Sequence, residues 1–322
     1  MKRSKLLHNV IVVLLAALFT ISLFYLTLEF HNLLNMILLP VFPGTSFPIG
    51  ESPLIRLTGL ICLCFIITVI ILGFIVKRLV ISKVGSFVLF LPTFAHFFMA
   101  MFLLGGLQAF QIILLPLDSS EFNVLTLGSI IKLPYIIIDY LASFSSNADL
   151  VVRYFCYGII LIGLIIFAFG VVTWLQGVIY RKEIVDFSIY KYSRHPQFLG
   201  YLIWSYGIYL LTLIPIREPI VRGARFFEYT FVWFLSALII IGIALYEEIM
   251  MNNKFPEKYD EYRKKTPFLI PLPNFIKIIV TAPLRLGFKK DLPINRKEII
   301  FLLAFYGSIV IIISLLLNPF IT

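Results

Sequence analysis

The chain alternates between long apolar runs and short polar or basic stretches. At about 1.5 Å of rise per residue, helices of this length cover most or all of the roughly 30 Å of hydrocarbon in a bilayer. The pattern therefore predicts an all-α, polytopic membrane protein with about seven transmembrane helices. The seven runs are Val10–Leu28, Leu57–Val76, Phe87–Leu107, Tyr154–Val178, Leu199–Ile214, Phe226–Tyr246 and Ile299–Leu317.

The composition agrees with this pattern. Of 322 residues, 60% are hydrophobic and 14% are charged, and the mean hydropathy is +0.99. Soluble domains contain about 45–50% apolar residues, so a soluble globular protein and a disordered one are both excluded. Cys62, Cys64 and Cys156 lack CxxC spacing, which excludes a disulfide framework and a thiolate zinc site. We therefore predict no metal.

Basic residues indicate how the chain is oriented. The first run follows Met-Lys-Arg-Ser-Lys and lacks the cleavage site of a signal peptide, so we expect it to be a retained span. With a cytosolic N-terminus, 21 of the 27 basic residues face the cytosol, as the positive-inside rule requires. That count requires the segment Asn123–Leu141, which contains Lys132, Pro134 and Asp139, to be interfacial or re-entrant. The net charge of +10 thus indicates a cytosolic membrane face, and no nucleic-acid partner.

Candidate chemistry is concentrated in the middle of the chain. Residues 1–150 are predicted membrane helices of unknown role, suited to oligomerisation or to a partner. Residues 151–272 hold nearly all the suggestive polar groups, and residues 273–322 form a basic cytosolic segment and the last span. Three polar blocks in the middle third fall on the cytosolic face of the predicted topology.

The first block contains Arg194, His195 and Pro196 and leads into a span. Pro196 suits the first turn of a helix, and it holds His195 outside helical geometry. The amides at a helix start attract an anion such as a carboxylate. Gly200 permits the close approach of a ligand or a neighbouring helix. The simpler interpretation is a snorkelling Arg–His pair at the membrane boundary.

The second block is Glu247-Glu248, at the end of a span. These carboxylates repel each other and oppose the helix dipole, so they favour a nearby cation. A ligand or a salt bridge to Lys254 or Lys258 would supply one. In the third block, Phe255, Tyr259 and Tyr262 follow one another at helical spacing. They predict a cytosolic amphipathic helix that lies on the membrane surface or forms a lid.

Residues 184–267, about a quarter of the chain, resemble the superfamily of isoprenylcysteine carboxyl methyltransferases and phospholipid N-methyltransferases. The three ordered blocks carry this resemblance. It implies a transfer of a methyl group from S-adenosylmethionine to a lipophilic acceptor, at a cytosolic-face site in the C-terminal half. It also implies catalytic positions at Glu248 and Lys265, and cofactor contacts from Val185, Tyr190, Arg194, His195, Pro196, Phe198, Gly200 and Glu247.

Several positions depart from the family pattern. Phe198 replaces the usual Tyr, Ser188 and Pro256 replace glycines, and Lys265 replaces an Arg. Ile243 stands where the eukaryotic isoprenylcysteine enzymes place an Arg for the carboxylate of the acceptor. A carboxylate acceptor would lack this cationic partner. The change weakens the isoprenylcysteine assignment and leaves a lipid amine, thiol, hydroxyl or other lipid acceptor open.

Two other functions fit the same pattern. Membrane sterol and steroid reductases resemble it but bind NADPH, whose phosphates would meet Glu247 and Glu248. A non-catalytic scaffold that binds lipids or a partner is the remaining alternative. In-line methyl transfer depends more on placement than on acid–base groups, so we expect no dedicated triad.

Overall fold

A computed structural model describes residues 10–25, 27, 53–95, 113–118, 123–214 and 228–321, and their regular structure is helical. The α-helices in these ranges are α1 (Val10–Tyr25), α2 (Pro53–Ile75), α3 (Leu79–Ala95), α4 (Leu133–Ala142), α5 (Ala148–Ile179), α6 (Pro196–Thr212), α7 (Thr230–Lys254), α8 (Pro256–Lys265), α9 (Asn274–Phe288) and α10 (Arg296–Ile321). Three short 3₁₀ turns are also present in the described residues, at Val124–Thr126, Ser129–Lys132 and Ser188–Lys191. The predicted all-α fold is confirmed for this part of the chain.

Four helices in the described part are long and apolar enough to cross a membrane, within α2, α5, α7 and α10. The apolar helices α1 and α3 are shorter. At 17 residues, α6 extends about 26 Å. An integral membrane protein is therefore supported, whereas the count of seven spans stays a prediction.

The third predicted run begins earlier than expected. Helix α3 starts at Leu79, eight residues before Phe87, because a turn at residues 76–78 reverses the chain after α2. Lys77 adopts a left-handed φ of 63° in this turn. Ser82 Oγ then donates to the carbonyl of Ile70 at 2.8 Å, which joins the two helices. Residues 96–107 of the predicted run lie outside the described residues.

The segment Asn123–Leu141 consists of two 3₁₀ turns and α4. The ten residues of α4 extend about 15 Å, half the thickness of the hydrocarbon layer, so α4 alone is too short to cross it. The interfacial or re-entrant placement stays a prediction. Lys132 precedes α4 and forms a salt bridge of 2.5 Å with Glu228. Both side chains are mostly buried, so each charge of this pair is neutralised within the protein.

The chain divides into two compact units, and neither is continuous in sequence. The first unit comprises residues 1–27, 158–205 and 241–307, and the second comprises residues 28–157, 206–240 and 308–322. The first unit contains every site residue predicted from the sequence. The proposed boundaries at residues 150 and 272 stay predictions.

In the first unit, α5 and α6 touch backbone to backbone at two glycines. A Cβ added to Gly163 would lie 2.3 Å from the backbone nitrogen of Trp204. A Cβ added to Gly200 would lie 2.4 Å from the backbone nitrogen of Phe167. Small residues at a crossing let membrane helices pack closely. This contact fixes the first turns of α6, and with them the polar residues at its start.

Substituting these glycines should separate the two helices. We expect Gly163→Ala and Gly200→Ala each to lower the apparent melting temperature in lipid nanodiscs, because the added methyl group meets rigid backbone. The matched control is Gly158→Ala in α5, where a Cβ meets nothing within 4 Å. There alanine should be neutral or stabilising, by up to about 1 kcal/mol. Equal melting temperatures for all three variants would contradict the close crossing.

Candidate functional site

The first polar block is held at the start of α6. The helix begins at Pro196, as predicted. The carbonyl of His195 accepts a bond from the amide of Leu199 at 3.0 Å, and the amide of His195 donates to Ser193 Oγ at 3.3 Å. His195 therefore caps the helix from outside it.

A buried carboxylate, Glu248 near the end of α7, lies at the centre of the site. Its Oε1 atom accepts hydrogen bonds from Arg194 Nε at 2.9 Å, His195 Nε2 at 2.9 Å and the Tyr259 hydroxyl at 2.6 Å. Only 6% of the side chain is exposed. In the described part of the chain, its Oε2 atom is buried and has no hydrogen-bond partner. Glu248 thus connects the first and third polar blocks through Oε1, and its Oε2 atom can accept a hydrogen bond from a further donor.

Arg194 fastens α8 to this carboxylate. Its Nη1 atom donates to the carbonyls of Arg263 and Thr266, both at 2.8 Å, and its amide donates to the carbonyl of Pro267 at 3.0 Å. The last carbonyls of a helix lack partners within the helix, and a guanidinium fits such acceptors well. Arg194 therefore positions α8 through bonds within the protein.

The ring of His195 lies between the two acids. Its Nδ1 atom is 3.9 Å from Glu247 Oε2, on the side opposite the bond to Glu248. Phe198 stacks on the ring at 5.6 Å between centroids, and Phe268 meets it edge-on at 5.1 Å. Glu247 is less enclosed than Glu248, with 30% of its side chain exposed. The two acids therefore differ: Glu248 anchors the site, and Glu247 lines its more open side.

Three tyrosines complete the inner surface of α8 and the turn before α6. The Tyr262 hydroxyl donates to the carbonyl of Tyr190 at 2.7 Å. Burial, with Glu248 beside it, raises the pKa of Tyr259. Burial, with Glu247 nearby, raises the pKa of Tyr190. Both phenols therefore stay protonated, and the Tyr259 hydroxyl donates to Glu248. The predicted amphipathic helix is confirmed, and Tyr259 and Tyr262 on it face the site.

Three other predicted residues have different surroundings. Val185 packs against Gly177 of α5, where an added Cβ would come within 2.3 Å of its methyl group. Gly200 contacts α5, so its lack of a side chain serves helix packing. Lys265 is 71% exposed and pairs with Glu261 on the outer face of α8. The structure does not bring Lys265 into the cluster around Glu248.

Sequence reasoning missed two residues of the site. Phe268 covers His195, and Thr266 accepts a bond from Arg194 through its carbonyl. Both flank Pro267, the last residue of the region that resembles the methyltransferase superfamily. Every residue has a backbone carbonyl, so the sequence gives no signal for the acceptor at Thr266. Only the aromatic side chain of Phe268 could have been identified from the sequence.

Removing the charge of Glu248 should destabilise the first unit. In Glu248→Gln, the buried guanidinium of Arg194 loses its anionic partner, at a cost of about 3–5 kcal/mol for a broken buried pair. We expect a large fall in melting temperature in nanodiscs, and faster hydrogen exchange in α8. The control is Glu257→Gln on the exposed face of α8, where the change should stay within about 0.5 kcal/mol. Equal effects of the two substitutions would contradict the anchoring role.

Comparisons with known proteins found partial similarity. A family model described as a protein of unknown function, DUF1295, matches residues 122–266. The Protein-S-isoprenylcysteine O-methyltransferase of Schizosaccharomyces pombe is 32% identical over 89 residues, which are 28% of this chain and 33% of that protein. The chain thus matches about a third of the length of this curated relative. No solved structure matches. The chain thus combines helices that are long and apolar enough to cross a membrane with partial similarity to an isoprenylcysteine O-methyltransferase.

Proposed function

We propose that the protein is an integral-membrane methyltransferase that uses S-adenosylmethionine and acts on a lipophilic acceptor. The observation that carries the proposal is the pairing of a buried carboxylate, Glu248, with a partly exposed one, Glu247, beside the start of α6. This arrangement offers two negative groups next to the amides of a helix start. It suits a small ligand that carries both cationic groups and a carboxylate.

The residues present fit this cofactor. S-adenosylmethionine carries a sulfonium and an ammonium, and the unpartnered Oε2 of Glu248 together with Glu247 provides acceptors for such groups. The start of α6 at Pro196 would take its carboxylate, while Tyr190 and Phe198 would line the site. When bound, the cofactor supplies a methyl group on a positively charged sulfur. Arg194, the ring of His195 and Tyr259 hold the acids in place.

The electrostatics of the site disfavour the reductase alternative. NADPH carries several phosphate charges, and the groups nearest the start of α6 include Glu247 and Glu248. The cation that could offset them, Arg194, is 5% exposed and already bonded to Glu248 and two carbonyls. Among the described residues, a phosphate-rich ligand would therefore meet these two anions while Arg194 is already engaged within the protein.

The surroundings of the site favour a lipid acceptor. Glu247 and Glu248 end a helix that is long and apolar enough to span a membrane, and the similar yeast protein is named as a methyltransferase of an isoprenylated cysteine. We further propose that the site faces the cytosol, because the basic clusters around Arg181, Lys258 and Lys290 flank it in sequence. The N-terminal helices are proposed to hold a partner or a second copy.

Binding of S-adenosylhomocysteine tests the proposal. We expect the full-length protein in nanodiscs to bind it with micromolar-range affinity by calorimetry, and Glu247→Gln to weaken binding at least about tenfold through the loss of one charge interaction. The control Glu257→Gln should bind as the wild type does. If Glu247→Gln binds S-adenosylhomocysteine with the affinity of the wild type, Glu247 is not part of the cofactor site.

A thermal-shift comparison separates the two enzyme classes. A ligand at 100 times its Kd stabilises the protein by about 2.7 kcal/mol, so the true cofactor should raise the melting temperature clearly. We expect this rise with S-adenosylmethionine and none with NADPH. The opposite result would favour the reductase function.

A further inference from the structure

The hydrogen bond between His195 and Glu248 defines the tautomer of the imidazole. The Oε1 atom of Glu248 receives the Arg194 guanidinium, the Tyr259 hydroxyl and His195 Nε2. A carboxylate oxygen only accepts hydrogen bonds, so Nε2 must carry the hydrogen. In the neutral ring the lone pair then lies on Nδ1. A carboxylate also orients the histidine base of hydrolytic triads, although there it holds Nδ1–H and the base is Nε2, the reverse of the arrangement at His195.

The ring cannot easily turn away from this orientation. Phe198 stacks against one face, Phe268 meets the ring with its edge, and 8% of the side chain is exposed. Among the described residues, Glu247 and Glu248 from α7 face the two nitrogens of the ring, and Arg194 from its own segment and Tyr259 from α8 share the Oε1 atom of Glu248 with it. Nδ1 is directed toward Glu247, whose 30% exposure gives it a path to solvent.

We propose that Nδ1 of His195 is the general base of the site, and that the methyl acceptor is a lipophilic amine or alcohol. This inference rests on the proposed methyl transfer. For an acceptor R–XH, the lone pair on X forms the bond to the methyl carbon, and the electron pair of the broken carbon–sulfur bond stays on sulfur. The X–H bond then breaks, and its proton moves to Nδ1 and on to solvent past Glu247.

The same geometry disfavours a carboxylate acceptor. An ionised carboxylate has no proton to lose, so it would make no use of a base held by Glu248. It would also meet the charges of Glu247 and Glu248. Ile243, one turn before this pair, is fully buried and provides no cation. An acceptor with an exchangeable hydrogen uses the base. An amine also uses the negative surroundings, because the acids attract its ammonium form, which loses one proton before the lone pair on nitrogen can form the bond to the methyl carbon.

Nitrogen NMR of the imidazole tests the tautomer directly. The full-length protein is labelled with ¹⁵N-histidine in nanodiscs, and His195→Gln identifies the signals of that ring. At mildly alkaline pH we expect protonated Nε2 and bare Nδ1. In Glu248→Gln, an amide that can donate as well as accept should convert the single tautomer into a mixture, whereas Glu257→Gln should leave it unchanged. A protonated Nδ1 in the wild type overturns the proposal.

The acceptor class is tested with three lipid probes of equal chain length. Oleylamine, oleyl alcohol and oleate are each added to the protein loaded with S-adenosylhomocysteine, and the Nδ1 signal of His195 is followed. The proposal expects a shift with the amine or the alcohol that exceeds any shift with oleate. A response that is largest with oleate, or absent with all three, overturns it.

The experiments distinguish failure of this inference from failure of the proposed function. If S-adenosylhomocysteine does not bind to the wild type, the methyltransferase proposal fails, and the inference that depends on it fails with it. If the cofactor analogue binds but Nδ1 carries the hydrogen, the proposed function stands and His195 is not the base.

Discussion

The hydrogen bonds accepted by one buried carboxylate, Glu248, hold the candidate site together. Glu248 accepts hydrogen bonds from three side chains on two elements: Arg194 and His195 in the segment before α6, and Tyr259 on the amphipathic helix α8. A buried charge is costly unless it is paired and hydrogen-bonded, so the three donors must stay in place together. The Arg194 side chain extends this constraint to the carbonyls at the end of α8. The geometry of the site is therefore coupled to the packing of the first unit.

Because of this constraint, the adjacent acids Glu247 and Glu248 have different roles. Glu248 is enclosed and mostly bonded to the protein, whereas Glu247 lines a more open side next to the ring of His195. Neighbouring positions on a helix point in different directions, about 100° apart, so one can face inward and the other sideways. An anchored acid beside an accessible one suits a cationic cofactor better than either acid alone.

Close helix packing supplies the rigid frame for these groups. Gly163 and Gly200 bring α5 and α6 into backbone contact, which fixes where the first turn of α6 lies. Residues on a rigid element keep their geometry better than residues on a loop. The segment after α8 adds Phe268 to the wall around His195. Helix packing and the polar network thus support the same few side chains.

Hydrophobic runs and local spacing in the sequence determined the class of the protein, the start of α6 at Pro196 and the helix that carries Tyr259. These features depend on neighbouring residues, whose periodicity is visible in a single chain. The tertiary structure decided which acid Arg194 meets 54 residues away, that Gly200 serves helix packing, and that Lys265 pairs on the surface. Partners so distant along the chain are selected by the packing of whole helices, which local pattern does not encode.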